Sequence, residues 1–129
     1  MPEYKVIPNP VDVHPFSLAA AGPDLVFVTG LGGHKPDGTI DESAADQARV
    51  AIATVEHLLQ TSGSALSEIV YFRPMVTRRE YAAEVDPVFR ELLPEPKPAC
   101  AALLICDLAD PRMKVEIEAI AHRGATLTV

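Results

Sequence analysis

The chain has no tryptophan and only four Phe and three Tyr among its 129 residues, too little aromatic surface for a platform that stacks bases. Basic charge is also scarce. Eleven Lys and Arg face 18 Asp and Glu, giving a formal net charge of −7 and a pI near 4.9. Binding a phosphate backbone needs clustered Lys and Arg, so this balance argues against nucleic acid as a partner. No apolar run approaches the length of a membrane span, which argues against a membrane partner. The opening MPEYKVIPNP lacks the apolar segment of a signal peptide. Cysteine is nearly absent. Cys100 and Cys106 do not form a secreted disulfide framework, and on one shared strand they lie too far apart to bridge. The expected compartment is the cytoplasm, with both thiols reduced.

What is present is mostly aliphatic, with hydrophobic residues making up 48% of the chain. There is no internal repeat, low-complexity segment or linker, so residues 1–129 read as one domain. A chain of this length buries roughly two-thirds of the surface it exposes when unfolded. Tyr4 to Ile7 and Ser17 to Ala21 read as short strands separated by proline- and histidine-containing turns. Leu25 to Thr29 is a stronger strand ending at Gly30. Lys35-Pro-Asp-Gly38 is a turn, with proline presetting φ and glycine supplying a permissive backbone.

Ser43 caps a helix, with Asp46 three residues on as a capping-box variant. Ala48, Ala51, Ile52, Val55, Leu58 and Leu59 recur at helical spacing before Gly63 closes it. Glu68 to Val76 is the next strand. Thr77-Arg-Arg-Glu80 reads as a capping box for a second helix with Tyr81, Val85, Val88 and Phe89 on its apolar side. Pro87 is expected to kink that helix or start a new one. Strands follow at Ala99 to Cys106 and Met113 to His122, joined by the turn Asp107 to Pro111.

In the last strand Val115, Ile117, Ala119 and Ala121 share one face, and Lys114, Glu116, Glu118 and Ile120 the other. The pattern predicts an α+β fold with two helices on one face of the sheet. The stretch AALLIC is apolar on both faces, which predicts an oligomer to cover it.

The residues that carry chemistry are few. Gly30-Leu-Gly-Gly33 lacks both phosphate-loop spacings and reads as a plain turn or as a loop with exposed N–H groups near a small ligand. His14, His34, His57 and His122 show no metal-ligand spacing, and no GxSxG elbow occurs. Glu118, mid-strand on the face away from the helices, is either one of a row of solvated charges or a proton-handling acid. Arg73, also mid-strand, binds an anion or pairs with Glu116 or Glu118. Cys100 reads as a small buried hydrophobe in preference to a nucleophile.

Three segments together carry a resemblance. LVFVTG at Leu25 to Gly30, LQTSG at Leu59 to Gly63 and, above all, VEIEAIA at Val115 to Ala121 resemble the Rid family. These are the YjgF-type reactive intermediate deaminases, also labelled endoribonuclease L-PSP. The likeness runs from about residue 15 to residue 123. It implies a chorismate-mutase-like α+β fold and a homotrimer whose sheets pack around a central barrel. It also implies three clefts between subunits, where small imino or enamino acids lose ammonia by hydrolysis without metal or organic cofactor.

In that family an arginine of a P-A-R-S motif grips the substrate carboxylate with two prongs, and a glutamate of the last strand positions or activates water. By this resemblance Phe16 replaces a tyrosine at the cleft wall, and Thr29 and Gly30 match a Ser-Gly pair. Asp86 stands for an asparagine and Glu118 for the glutamate. Cys100 falls on the arginine, in Pro98-Ala-Cys-Ala101, and a thiol cannot form a charged fork. His34 brings a titratable group to an altered loop, and Arg73 is the candidate to supply the lost charge.

The expected function is that of a divergent enzyme acting on a small-molecule imine or enamine other than a simple 2-imino acid, by hydrolysis or tautomerisation. Glu118 would handle proton and water, with Cys100 and Asp86 shaping the pocket. The alternative is a non-catalytic trimer that binds a metabolite or a protein. The acidic charge opposes the nuclease activity in the older family label.

Overall fold

The computed structural model describes residues 1–11 and 14–129. Among the described residues seven strands and two α-helices form in the order β1 Lys5–Ile7, β2 Ala19–Ala21, β3 Leu25–Gly32, α1 Ala44–Thr61, β4 Ile69–Val76, α2 Ala82–Leu92, β5 Ala99–Cys100, β6 Leu104–Ile105 and β7 Val115–His122. The turn expected between the first two strands includes residues 12 and 13, which lie outside the described residues. One sheet results, ordered β1-β2-β3-β7-β4-β5, with β6 also on β4. β7 is antiparallel to both β3 and β4, whereas β5 and β6 run parallel to β4. The α+β class expected from the sequence is the class observed.

Local chemistry explains α1 at both ends. Ser43 Oγ accepts from Asp46 N at 3.0 Å, as a capping serine should. At the other end Gly63 N donates to Gln60 O and Ser64 N to Leu59 O, the paired bonds of a Schellman closure. Its apolar stripe packs with Val85, Val88 and Phe89 of α2 on the face of the sheet that carries Val26, Val28, Phe72, Val115 and Ile117. Phe72 and Phe89 meet edge to face at 5.1 Å. The alternation read in β7 holds: Val115, Ile117, Ala119 and Ala121 are buried on the helix side.

Two local expectations fail, each for a reason outside its own segment. The Thr77 capping box does not form. Thr77 N donates to Lys114 O at 3.1 Å, prolonging the sheet, and Arg79–Tyr81 makes a single 3₁₀ turn before α2 begins without a side-chain cap. Pro87 then lies inside α2, so no second helix starts there.

The strand expected over Ala99 to Cys106 is also broken. Phe72 pairs with Cys100 and Met75 with Leu104, so three steps on β4 are matched by four on the edge. The extra residue is accommodated at Ala102, whose φ of 67° is left-handed. This edge is open in a single chain, with Leu104 at 38% and Ile105 at 46% exposure.

Candidate functional site

β3 and β7 do not pair continuously. Val28 faces Ala119 and Leu31 faces Ile117, so three steps on β3 span two on β7, and the bulge falls at Thr29 and Gly30. The bulge makes room for a neighbour. A Cβ on Gly30 would stand 2.8 Å from the carboxyl carbon of Glu116, so glycine is needed for that carboxyl to rest where it does. Glu116 is half-buried there. Burial holds its proton above the usual glutamate range, the charge of Glu118 adds to the effect, and His34 opposes it.

Glu118, two residues on, meets Arg73 directly across the β4–β7 pairing. Arg73 Nε stands 2.7 Å from Glu118 Oε1, but its N–H is not aimed along that line. The contact is a close ion pair, not an aligned hydrogen bond. Of the two roles read for Arg73, pairing is therefore the one observed, and its partner is Glu118. The period-two pattern placed both glutamates on one face and could not rank them. The ranking comes from the bulge in the neighbouring strand, which seats Glu116.

The loop after β3 adds a third group. His34 Nε2 lies 2.9 Å from Asp110 Oδ2, in the turn before β7. Asp110 also accepts from the backbone N, Nε and Nη2 of Arg112. Arg112 and His34 together hold its carboxyl well below the usual range. Beneath this turn Gln47, fully buried on α1, donates from Nε2 to Asp41 O and Arg112 O and accepts from Lys114 N. A Cβ on Gly33 would stand 2.7 Å from the Gln47 backbone, so the loop can approach the helix this closely only at a glycine. Sequence reasoning missed Glu116 as the seated acid, and Asp110 and Gln47 entirely. The one signal for Gln47 was a polar residue on the buried stripe of α1.

Asp86 and Cys100 lie elsewhere. They line a cavity of about 340 Å³ on the helix side of the sheet edge, floored by Phe72, Pro74, Phe89 and Leu93. Cys100 is exposed, not buried as a small hydrophobe would be, because its strand is the sheet's edge; its thiol makes a long contact to Ala102 O at 3.5 Å. Asp86 Oδ2 accepts from Arg90 Nη2 at 2.8 Å. Lys97 Nζ donates to Arg90 O and Leu93 O at the end of α2 and pairs with Glu95. Both cations of the cavity wall are thus engaged.

β7 and β4 stand between β3 and β5, so the strands that carry Thr29 and Cys100 are three strand spacings, roughly 14 Å, apart, and the two groups face opposite sides of the sheet. Phe16 belongs to neither group. It is 47% exposed and stacks on His14 at 5.3 Å. A single chain gathers Thr29, Gly30, Glu116, Glu118, Arg73 and the His34 loop on one side, and Asp86 with Cys100 on the other. Among the described residues no helix is long and apolar enough to cross a membrane.

Residues 7–123 match the family model described as Endoribonuclease L-PSP. The chain is 29% identical over 109 residues to the mitochondrial protein mmf1 of Schizosaccharomyces pombe, covering 83% of this chain and 67% of that protein. It is 25% identical over 128 residues to the 3-aminoacrylate deaminase RutC of Acinetobacter baylyi, covering 95% and 99% of the two. The crystal structure of RidA from an Antarctic Psychrobacter superposes with a TM-score of 0.81 at 26% identity, covering 90% of this chain and 93% of that one.

Proposed function

The chain belongs to the Endoribonuclease L-PSP family, the YjgF/Rid proteins, and from that premise we propose that it hydrolyses an imine or enamine lacking a carboxylate, without a cofactor, in the cytoplasm. The observation that carries the reading is the Glu116 carboxyl seated on Gly30 beside Glu118. Two adjacent carboxyls, one pinned by Arg73 and the other retaining its proton more strongly, divide acid and base duties between them. An enamine would first take a proton on carbon and give one up from nitrogen to become the imine. Water oxygen then bonds to the imine carbon, both water protons pass to the nitrogen through the carboxyls, the C–N bond breaks, and the nitrogen leaves as ammonia with the carbonyl as co-product. No electrons are exchanged.

The substrate class follows from the cavity at Cys100 and Asp86. Its floor is apolar, Arg90 is taken by Asp86, and Lys97 by two carbonyls and Glu95. A carboxylate would find no available fork there, while a neutral, partly apolar body would fit. The two halves meet, in this proposal, across the subunit interface of a homotrimer whose open sheet faces pack together. Thr29, Gly30, the glutamates and Phe16 of one subunit would then face Asp86 and Cys100 of the next. The RutC and RidA names of similar proteins support the reaction type.

The test is ammonia release from a panel of imines and enamines with and without a carboxylate. Wild type should turn over the carboxylate-free members, and Glu116→Gln should lower kcat by about 10²–10⁴-fold. Glu118→Gln should also slow it, and Cys100→Arg should shift preference toward imino acids. An inert wild type beside an active Cys100→Arg would replace this reading with that of a non-catalytic binding trimer.

A further inference from the structure

At the edge of the sheet opposite Cys100 a second cleft, of about 420 Å³, opens between β1, the turn after β2, the end of α1 and Arg123. Register sets its floor. Lys5 pairs with Ala21 and Ile7 with Ala19, and both Ile7 and Ala21 pack on the core, so Lys5 shares their helix-side face. Glu3 extends that period-two face beyond the strand, and Pro23 adds to the aliphatic lining. Arg123 closes the far wall, donating from Nη1 to Ser62 O and from Nη2 to Gly22 O, the latter at 2.7 Å. A Cβ on Gly63 would stand 2.6 Å from that Nη1, so the guanidinium reaches the helix end only past a glycine. Its other N–H groups have no partner among the described residues.

The cleft presents both signs of charge. Among the described residues neither Lys5 nor Glu3 forms an ion pair, although both line the same face. Ser62 Oγ is buried without a hydrogen-bond partner among the described residues, which leaves a further donor at the wall. The last turn of α1 holds no basic residue, so its carbonyl end adds partial negative charge to the same wall. We propose that this cleft binds a small zwitterion of the free amino acid type. Its carboxylate lies toward Lys5 and Arg123, its ammonium toward Glu3 and the end of α1, and its aliphatic body on Ile7, Ala21 and Pro23. A lone anion would face Glu3 and the helix carbonyls, and a lone cation would face Lys5 and Arg123. A ligand with both charges meets a partner at each wall. The cleft lies apart from the carboxyl pair and from the cavity at Cys100, so it does not depend on the proposed reaction.

The experiment is an amide chemical-shift titration of the full chain with L-valine, isovalerate and isobutylamine, the last two lacking the ammonium and the carboxylate respectively. L-Valine should move the amides of Lys5, Gly22, Ser62 and Arg123 to saturation. Isovalerate and isobutylamine should each bind about two- to fivefold more weakly, as the loss of one screened charge pair requires. Glu3→Gln should weaken L-valine by a similar factor and leave isovalerate no weaker, whereas Lys5→Gln should weaken both. Arg123 is kept, since its removal would strand Ser62 O and Gly22 O and destabilise the fold. Equal binding of L-valine and either single-charge probe would overturn the proposal in favour of a plain ion site. Shifts that stay linear in concentration, or that neither substitution changes, would overturn it outright. Because no turnover is measured, the result stands whether or not the protein hydrolyses imines.

Discussion

Glu116 and Glu118 differ in what surrounds them, not in where the alternation of β7 puts them. Both point away from the helices, but one is seated on a glycine in a bulge and the other is drawn to Arg73. A carboxyl whose proton is held more tightly folded than unfolded favours folding at low pH and opposes it as pH climbs from the ordinary glutamate value to the raised one. Glu116→Gln should therefore raise the melting temperature at pH 7 and leave it unchanged below about pH 4. Half the side chain remains in water, so the gain should stay below about 1 kcal/mol. Thermal melts of the two proteins from pH 3 to 8 provide the check. The sequence marked this face as the one where acids gather. It could not show which acid was desolvated, because that depends on the backbone at Gly30, in a strand distant from Glu116 along the chain.

Elements were legible where their signals were local. The spacing of α1, its Ser43 cap and its Gly63 closure all lie within one stretch of chain, as does the alternation of β7. The capping box at Thr77 failed because a partner strand claims the threonine N–H, and the strand over Ala99 to Cys106 broke because its register is imposed by β4. That break suggests an easy improvement. Ala102 sits at φ 67°, which costs an L-residue with a Cβ roughly 1 kcal/mol, so Ala102→Gly should raise the melting temperature by a few degrees. A fall on substitution would mean the edge does not hold this backbone in solution. The link between α1 and the start of β7 should be far less tolerant. Gln47→Leu strands two carbonyls and one N–H that the amide now satisfies, and should cost about 2–4 kcal/mol in a denaturant titration.

At the scale of the molecule, the sheet has one face packed and one open. The open face carries Phe27 at 40% exposure against Tyr4, with Ile120 beside it on β7. A homotrimer formed through this face would sediment at about three times the 13.9 kDa of one chain, and Phe27→Lys should return it to a single chain. Wild type sedimenting as one chain would remove both the trimer and the shared cleft. The order of strands has a further consequence, in time and not in space. β7, the last strand in the chain, lies in the middle of the sheet between β3 and β4. During synthesis, which proceeds from the N-terminus, β3 and β4 must wait as unpaired edges until the VEIEAIA segment emerges and joins them. The segment that carries the two glutamates is thus also the closing piece of the fold, and a nascent chain should gain protection against proteolysis abruptly, only after β7 has left the ribosome.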